Sequence, residues 1–159
     1  RTRAIVPVHL AGHPCDMAPI MALAKKHNLY VVEDCAQANG TTYRSQPVGT
    51  IGDIGCFSLN ESKHLSSGEG GYALTNNEKL YRNLHNYMDK YYDRLQCGNR
   101  LAALAPNYRM TEMQYAVAIA QLQIAGGQEG VQLGKVLAKK VLAHDTDGAL
   151  KVYSDLLNI

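Results

Sequence analysis

The chain has 159 residues, 46% of them hydrophobic and 19% charged, with a formal net charge of +2. This is the composition of a globular domain large enough to bury a core. No basic run suits nucleic acid, and no apolar stretch approaches the ~20 residues that cross a bilayer, so neither partner is expected.

Arg1-Thr2-Arg3-Ala4 shows no signal-peptide pattern, and without an initiator Met residue 1 is not expected to be a natural start. Ala4-Ile5-Val6-Pro7-Val8 is short, apolar and β-branched, the pattern of a buried strand; its Pro7 either argues against a strand or puts the strand near an edge. His9 to Pro14 reads as a loop. His9 and His13 have the spacing of helical metal ligands, but Gly12 and Pro14 disfavour a helix, so no metal is expected. Asp16 is a suitable N-cap for a helix carrying Met17, Ile20, Met21 and Leu23-Ala24, with Lys25-Lys26-His27 in its last turn and Asn28 ending it. Leu29 to Glu33 is a second strand, closed by Asp34. Strand, helix and strand in this order form a βαβ unit with parallel strands, whose ligands gather at the carboxyl ends.

Asn39-Gly40 is a turn signal, and 43–52 reads as a loop with room for a small hairpin. Gly49, Gly52 and Gly55 match neither a dinucleotide fingerprint nor a P-loop, since no Gly-Lys-Ser/Thr follows. Gly55 to Leu59 is the next strand, Asn60 to Gly71 a Gly- and Ser-rich loop, and Tyr72 to Thr75 another short strand. A helix is expected from Glu78 to Tyr91, with Leu80, Leu84 and Tyr87 on one face, then a polar, mobile loop over 92–108. Thr111 caps a long helix to Ile124, with Met113, Val117, Ala120 and Ile124 in register. Gly126-Gly127 breaks it, and weaker helical patterns follow at Val131–Ala143 and Ala149–Leu157. The four cysteines, Cys15, Cys35, Cys56 and Cys97, include no C-x-x-C pair, which argues against zinc and a disulfide framework and for reduced thiols in the cytoplasm.

The chemistry concentrates between Asp34 and Gly71. An acid closes one buried strand, and Lys63 opens the loop after another. A pyridoxal phosphate site needs this set: a lysine to form an imine with the aldehyde, a carboxylate to keep the pyridine nitrogen protonated, and hydroxyls with backbone N–H groups for the phosphate. Taken singly, Lys63 is an ordinary solvated loop lysine and Asp34 a turn former; the surrounding sequence decides otherwise.

VPVHLAG at 6–12, VVEDCAQANG at 31–40, VGTIGDIGCFSLNESKHLSSGEGGYALTN at 48–76 and NYRMTEMQYAVAIAQL at 107–122 together resemble the DegT/DnrJ/EryC1/StrS family, sugar aminotransferases of the PLP fold type I. The resemblance implies an α/β fold, part of a fold type I large domain with a mainly parallel sheet flanked by helices. It covers 1–125 as the central part of that domain, leaving 126–159 as a less family-like helical tail. It implies Lys63 as the imine lysine, Asp34 on the pyridine nitrogen, Gln37 on the ring hydroxyl and Ser58 on the phosphate. The segment containing Asn107 and Arg109 is implied to reach a neighbouring subunit's site, hence a homodimer. His64, beside the lysine, is read as structural, because dehydratase relatives instead replace the lysine itself by histidine.

The expected function is a PLP-dependent aminotransferase acting on a nucleotide-linked keto-sugar or cyclitol ketone, with glutamate or glutamine as amino donor. The alternatives are a non-catalytic or incomplete fragment of such an enzyme, or a PLP-dependent sugar dehydratase relative, which Lys63 argues against. Because the family's upstream phosphate loop and its small domain are not in this sequence, residues 1–159 alone are expected to bind PLP weakly.

Overall fold

A computed structural model describes residues 1–93, 99–100 and 104–125. The break at Gly126-Gly127, the two tail helices, Cys97 and the tail 126–159 lie outside the described residues.

Strand β1 (Ala4–Ile5) stops short of Pro7, which has no N–H to give a ladder, yet the register carries on past it. Ala4 pairs with Tyr30, Ile5 with Val31 and, beyond the proline, Val8 with Asp34. Helix α1 (Met17–His27) ends at Asn28, which takes the left-handed conformation of a C-cap (φ 51°). Asp16 does not cap the helix with its side chain; its carboxylate instead accepts a hydrogen bond from the Tyr43 hydroxyl. Met17 and Ala24 lay the buried stripe of α1 against Val31, with Ile5 and Ile20 around them.

Strand β2 (Tyr30–Asp34) is followed by a hairpin, β3 (Thr42–Tyr43) and β4 (Gln46–Pro47). Its turn residues Arg44 and Ser45 both hold positive φ (49° and 67°), the backbone of a two-residue hairpin loop without the usual Asn-Gly. Strands β5 (Ile54–Ser58) and β6 (Gly71–Leu74) complete a sheet of order β1-β2-β5-β6. The first three strands are parallel, and β6 runs antiparallel to β5. Among the described residues the sheet is therefore mainly parallel, with β1 outermost beside β2.

A charged side chain sits inside this core. Val31, Glu33 and Cys35 alternate onto one face of β2 and its extension, and all three are buried. Glu33 accepts from the backbone N–H of Gly49 (2.8 Å), Ile51 (2.8 Å) and Gly52 (2.6 Å), and from His9 Nε2 (3.0 Å). Both oxygens act only as acceptors, as a carboxylate does. His9 Nδ1 accepts the N–H of Cys15 (3.0 Å), so the ring proton is on Nε2 and points at Glu33.

Helix α2 (Glu78–Met88) is capped by Asn77, whose Oδ1 accepts from the N–H groups of Lys79 and Leu80. It ends three residues before the expected Tyr91, because Lys90 and Tyr91 adopt positive φ (55° and 56°) and Asp89 turns to pair with Asn107. Tyr87, expected on the packed face, is half exposed. Within the expected irregular loop, β7 (Tyr92–Asp93) pairs with β8 (Asn99–Arg100).

Helix α3 (Glu112–Ala125) opens with a reciprocal cap. Thr111 N–H donates to Gln114 Oε1 (2.7 Å), and Gln114 N–H donates to Thr111 Oγ1 (3.3 Å). The face that packs is Ala118 with Leu122, against Leu59 and Leu65. Met113 and Val117, the in-register series, are 75% and 47% exposed. The helix is apolar around most of its circumference, so periodicity did not single out one face.

Gly55 tests this packing. A β-carbon there would collide with the backbone of Gly49, whose positive φ (82°) keeps the 49–52 turn under the strands. Gly55→Ala should destabilise the fold by about 2 kcal/mol or more, read as a lower urea midpoint at unchanged slope.

Candidate functional site

The parallel register of β2 and β5, Asp34 opposite Cys56, brings Asp34 and Ser58 to the same carboxyl edge of the sheet. Next to it is a cleft of about 330 Å³ lined by Ala11, Ala36, Gln37, Asn39, Ser62, Lys63 and His64; Asp34 and Ser58 are not in its lining. Its size is at the lower end of the ~300–1,000 Å³ range of small-molecule sites.

The local backbone shows how each group is held. Asp34 Oδ1 accepts the N–H of Ala36 (3.0 Å), while Oδ2 has no partner among the described residues. The backbone of Asp34 is tied at both ends: its N–H to Pro7 O (2.9 Å), its carbonyl by His9 N–H (3.0 Å). Gln37 Oε1 accepts the N–H of Ala11 (2.9 Å), which turns the amide so that both Nε2 hydrogens remain to donate elsewhere. Ser58 Oγ accepts the N–H of Asn60 (3.3 Å) and keeps its own proton to give. Lys63 is half-buried in a turn closed by its N–H to Asn60 O (3.0 Å).

The loop after Lys63 is pinned at several points. Asn60 Nδ2 donates to Glu69 Oε1 (2.9 Å), Ser67 N–H to Leu59 O (2.9 Å), and Gln114 Nε2 to Glu69 O (3.0 Å). One glutamine thus caps α3 and holds the lysine loop. An amide with two spare hydrogens and an amine line the cleft, and a carboxylate with a spare oxygen and a hydroxyl stand on the neighbouring strand ends β2 and β5. This donor set fits pyridoxal phosphate, whose ring nitrogen, ring hydroxyl, phosphate and aldehyde call for these four partners.

Asn107 and Arg109 are not among the cleft's lining. Both are exposed at the end of α2, where Asn107 pairs with Asp89 and Arg109 Nη1 lies 3.5 Å from buried Asp89 Oδ2. His64, expected to be structural, is exposed on the cleft wall and bonds no described residue. Ala11 lines the cleft although nothing in the local sequence marks it. Asn39 reads in the sequence only as a turn residue, whereas its Oδ1 accepts the Tyr72 hydroxyl (2.7 Å) and its Nδ2 reaches Ser58 O (3.4 Å).

Behind the cleft, ligand atoms of His9, Glu33 and Cys35 lie within 4.8 Å of one another, the spacing of a metal centre. Their chemistry points elsewhere. Glu33 and His9 are saturated by hydrogen bonds. Burial, with the charges of Glu33 and Asp34 beside it, pushes the Cys35 thiol from 9.0 up to about 12, so it keeps its proton. Cys56 is raised by burial and by Asp34. Burial foremost pushes Tyr72 up to about 12; its ring stacks on Phe57 at 4.6 Å.

Residues 1–128 match the DegT/DnrJ/EryC1/StrS aminotransferase family. GDP-perosamine synthase of Escherichia coli O157:H7 is 45% identical over 133 residues, covering 79% of this chain and 34% of that protein. L-glutamine:2-deoxy-scyllo-inosose aminotransferase of Streptoalloteichus tenebrarius is 37% identical over 131 residues, covering 77% and 31%. The solved aminotransferase of Psychrobacter cryohalolentis superposes with a TM-score of 0.71 at 45% identity, covering 78% of this chain and 34% of that one. The chain spans about a third of the length of these relatives. The mixed sheet flanked by helices is the architecture of the fold type I large domain.

The buried thiol sets an alkaline limit. Above its unfolded pKa, near 9, an unfolded Cys35 loses its proton while the folded one keeps it to about 12. The unfolded state then binds fewer protons, so stability falls as pH rises through that window. Urea midpoints measured from pH 8 to 11 should drop, and the drop should be shallower in Cys35→Ala, even though the variant starts from lower stability.

Proposed function

Because the chain belongs to the DegT/DnrJ/EryC1/StrS aminotransferase family, we propose that it is the cofactor-holding part, residues 1–125, of a PLP-dependent aminotransferase. Its substrate is a nucleotide-linked keto-sugar or cyclitol ketone, and its amino donor glutamate or glutamine. The observation that carries the reading is the cleft that Lys63 and Gln37 both line, Gln37 following three residues after the strand end at Asp34. The relatives support the substrate class: one is a GDP-perosamine synthase, another an L-glutamine:2-deoxy-scyllo-inosose aminotransferase.

Bound pyridoxal phosphate supplies an aldehyde that carries the amino group and a ring that takes up electrons. Lys63 Nζ would be the amine that holds the cofactor and, as a free amine, the base that would move a proton within the cleft. Asp34 Oδ2 keeps the ring nitrogen protonated, its other oxygen fixed by Ala36. Gln37 Nε2 donates to the ring hydroxyl, and Ser58 Oγ to the phosphate. Asn107 and Arg109, exposed and away from this cleft, serve the site of a second subunit in a homodimer. The enzyme is cytoplasmic; among the described residues no helix is long and apolar enough to cross a membrane.

Two variants of the holoenzyme that contains this segment test the reading. Lys63→Ala should lose the visible absorption of lysine-bound cofactor and its borohydride-fixed label on the 55–71 peptide; a retained label would remove Lys63 from the site. Asp34→Asn keeps the shape and the bond from Ala36 but lacks the charge. It should slow the donor half-reaction on the order of 10²-fold or more in stopped flow, while the apo-protein Tm changes by a few degrees at most. An unchanged rate would make Asp34 a turn residue only.

A further inference from the structure

We propose that His9 is a positioning residue: braced on Glu33, it holds the loop that sets Asp34 and Gln37 for the cofactor. The inference rests on the site proposed above and adds a residue that lies behind it.

His9 is fully buried and uses three polar groups in three directions. Its Nε2–H goes to Glu33 (3.0 Å), its Nδ1 takes the N–H of Cys15 (3.0 Å), and its backbone N–H donates to the carbonyl of Asp34 (3.0 Å). Two residues on, Ala11 N–H holds Gln37 Oε1 (2.9 Å), and Gly12 O accepts from Thr41 Oγ1 (3.1 Å). One short loop therefore grips residues 34, 37 and 41 in turn. Its aim depends on Ala11, which holds a left-handed φ of 52°. A residue other than glycine keeps that backbone only when its surroundings over-determine it. The ring of His9, fixed at both nitrogens, is the interior anchor of the loop. Glu33 in turn cannot shift, because three N–H groups of the 49–52 turn hold it. A loosened loop would leave the fold standing and free the acid and the amide to wander, and errors of ~1 Å in such groups cost about 10²-fold in function.

Two conservative variants separate positioning from packing. Asparagine places its amide near the Nδ1 position, so His9→Asn keeps an acceptor for Cys15 and loses the bond to Glu33. Glutamine reaches the Nε2 position, so His9→Gln keeps the bond to Glu33 and loses Cys15. His9→Asn, which takes a donor from buried Glu33, should lower the apo Tm more than His9→Gln, which gives up only the bond from Cys15. In the holoenzyme containing this segment, titration with pyridoxal 5′-phosphate should show a Kd weakened about tenfold or more in His9→Asn and within about threefold of wild type in His9→Gln. The visible circular dichroism of the bound cofactor, which reports its orientation, should collapse in the first and persist in the second. Equal affinities and unchanged dichroism in both would make His9 a packing residue and overturn the proposal. If His9→Asn does not fold, Thr41→Val decides, since it slackens the same loop from its other end: binding weakened about tenfold supports the proposal, and binding within about threefold of wild type overturns it. A wild-type protein that binds no pyridoxal phosphate would instead overturn the site reading itself, and this inference with it.

Discussion

A buried carboxylate with every lone pair engaged organises this domain. Glu33 lies on the apolar face of β2, where an unpaired charge would be untenable; removing one partner of such a group typically costs ~3–5 kcal/mol. Four donors make it tenable, and they come from two stretches of chain: His9 after β1, and the 49–52 turn before β5. Those stretches flank β2 on either side. The carboxylate therefore fixes the spacing of three parallel strands just below the edge where Asp34 and Ser58 emerge. Stability and the geometry beneath the cleft share one origin here.

How much of this could be read beforehand depended on the range of the interaction. The first strand, helix and strand were legible because periodicity, Asn28 and the Lys25–His27 turn are local signals. Asp34 at a strand's carboxyl end followed from the parallel pairing that a short crossover forces. The Thr111 cap was legible for the same reason. Glu33 was not: an acid at the end of an apolar run reads as the point where a strand meets water, and its partners lie 16 to 24 positions away. Gln37 was assigned by motif alone. That its amide is turned by Ala11 N–H depends on a left-handed alanine that nothing in the local sequence announces.

The misjudged face of α3 has a simple cause. A helix apolar on most sides has no preferred periodic face, so the choice falls to tertiary contacts. Within the described residues those contacts take Ala118 and Leu122 and leave Met113, Val117 and Tyr108 in solvent. The exposed side lies on the stretch that follows the exposed Asn107 and Arg109.

The early end of α2 works as a ruler. Because β6 runs opposite to β5, the chain leaves the lysine loop and descends to the far end of the sheet. It must climb back before Met110 can meet Gly70 and Gln114 can hold Glu69. Eleven helical residues rise ~16 Å. The four residues of β6 descend ~13 Å. The two lengths nearly cancel, and the left-handed pair Lys90-Tyr91 stops the climb where Asp89 can pair with Asn107. A helix running on to Tyr91 would overshoot by ~4.5 Å, almost a full turn, and carry the 107–114 segment past the loop it secures. The length of a surface helix is thereby tied to the height at which an amine is presented on the other side of the sheet's edge.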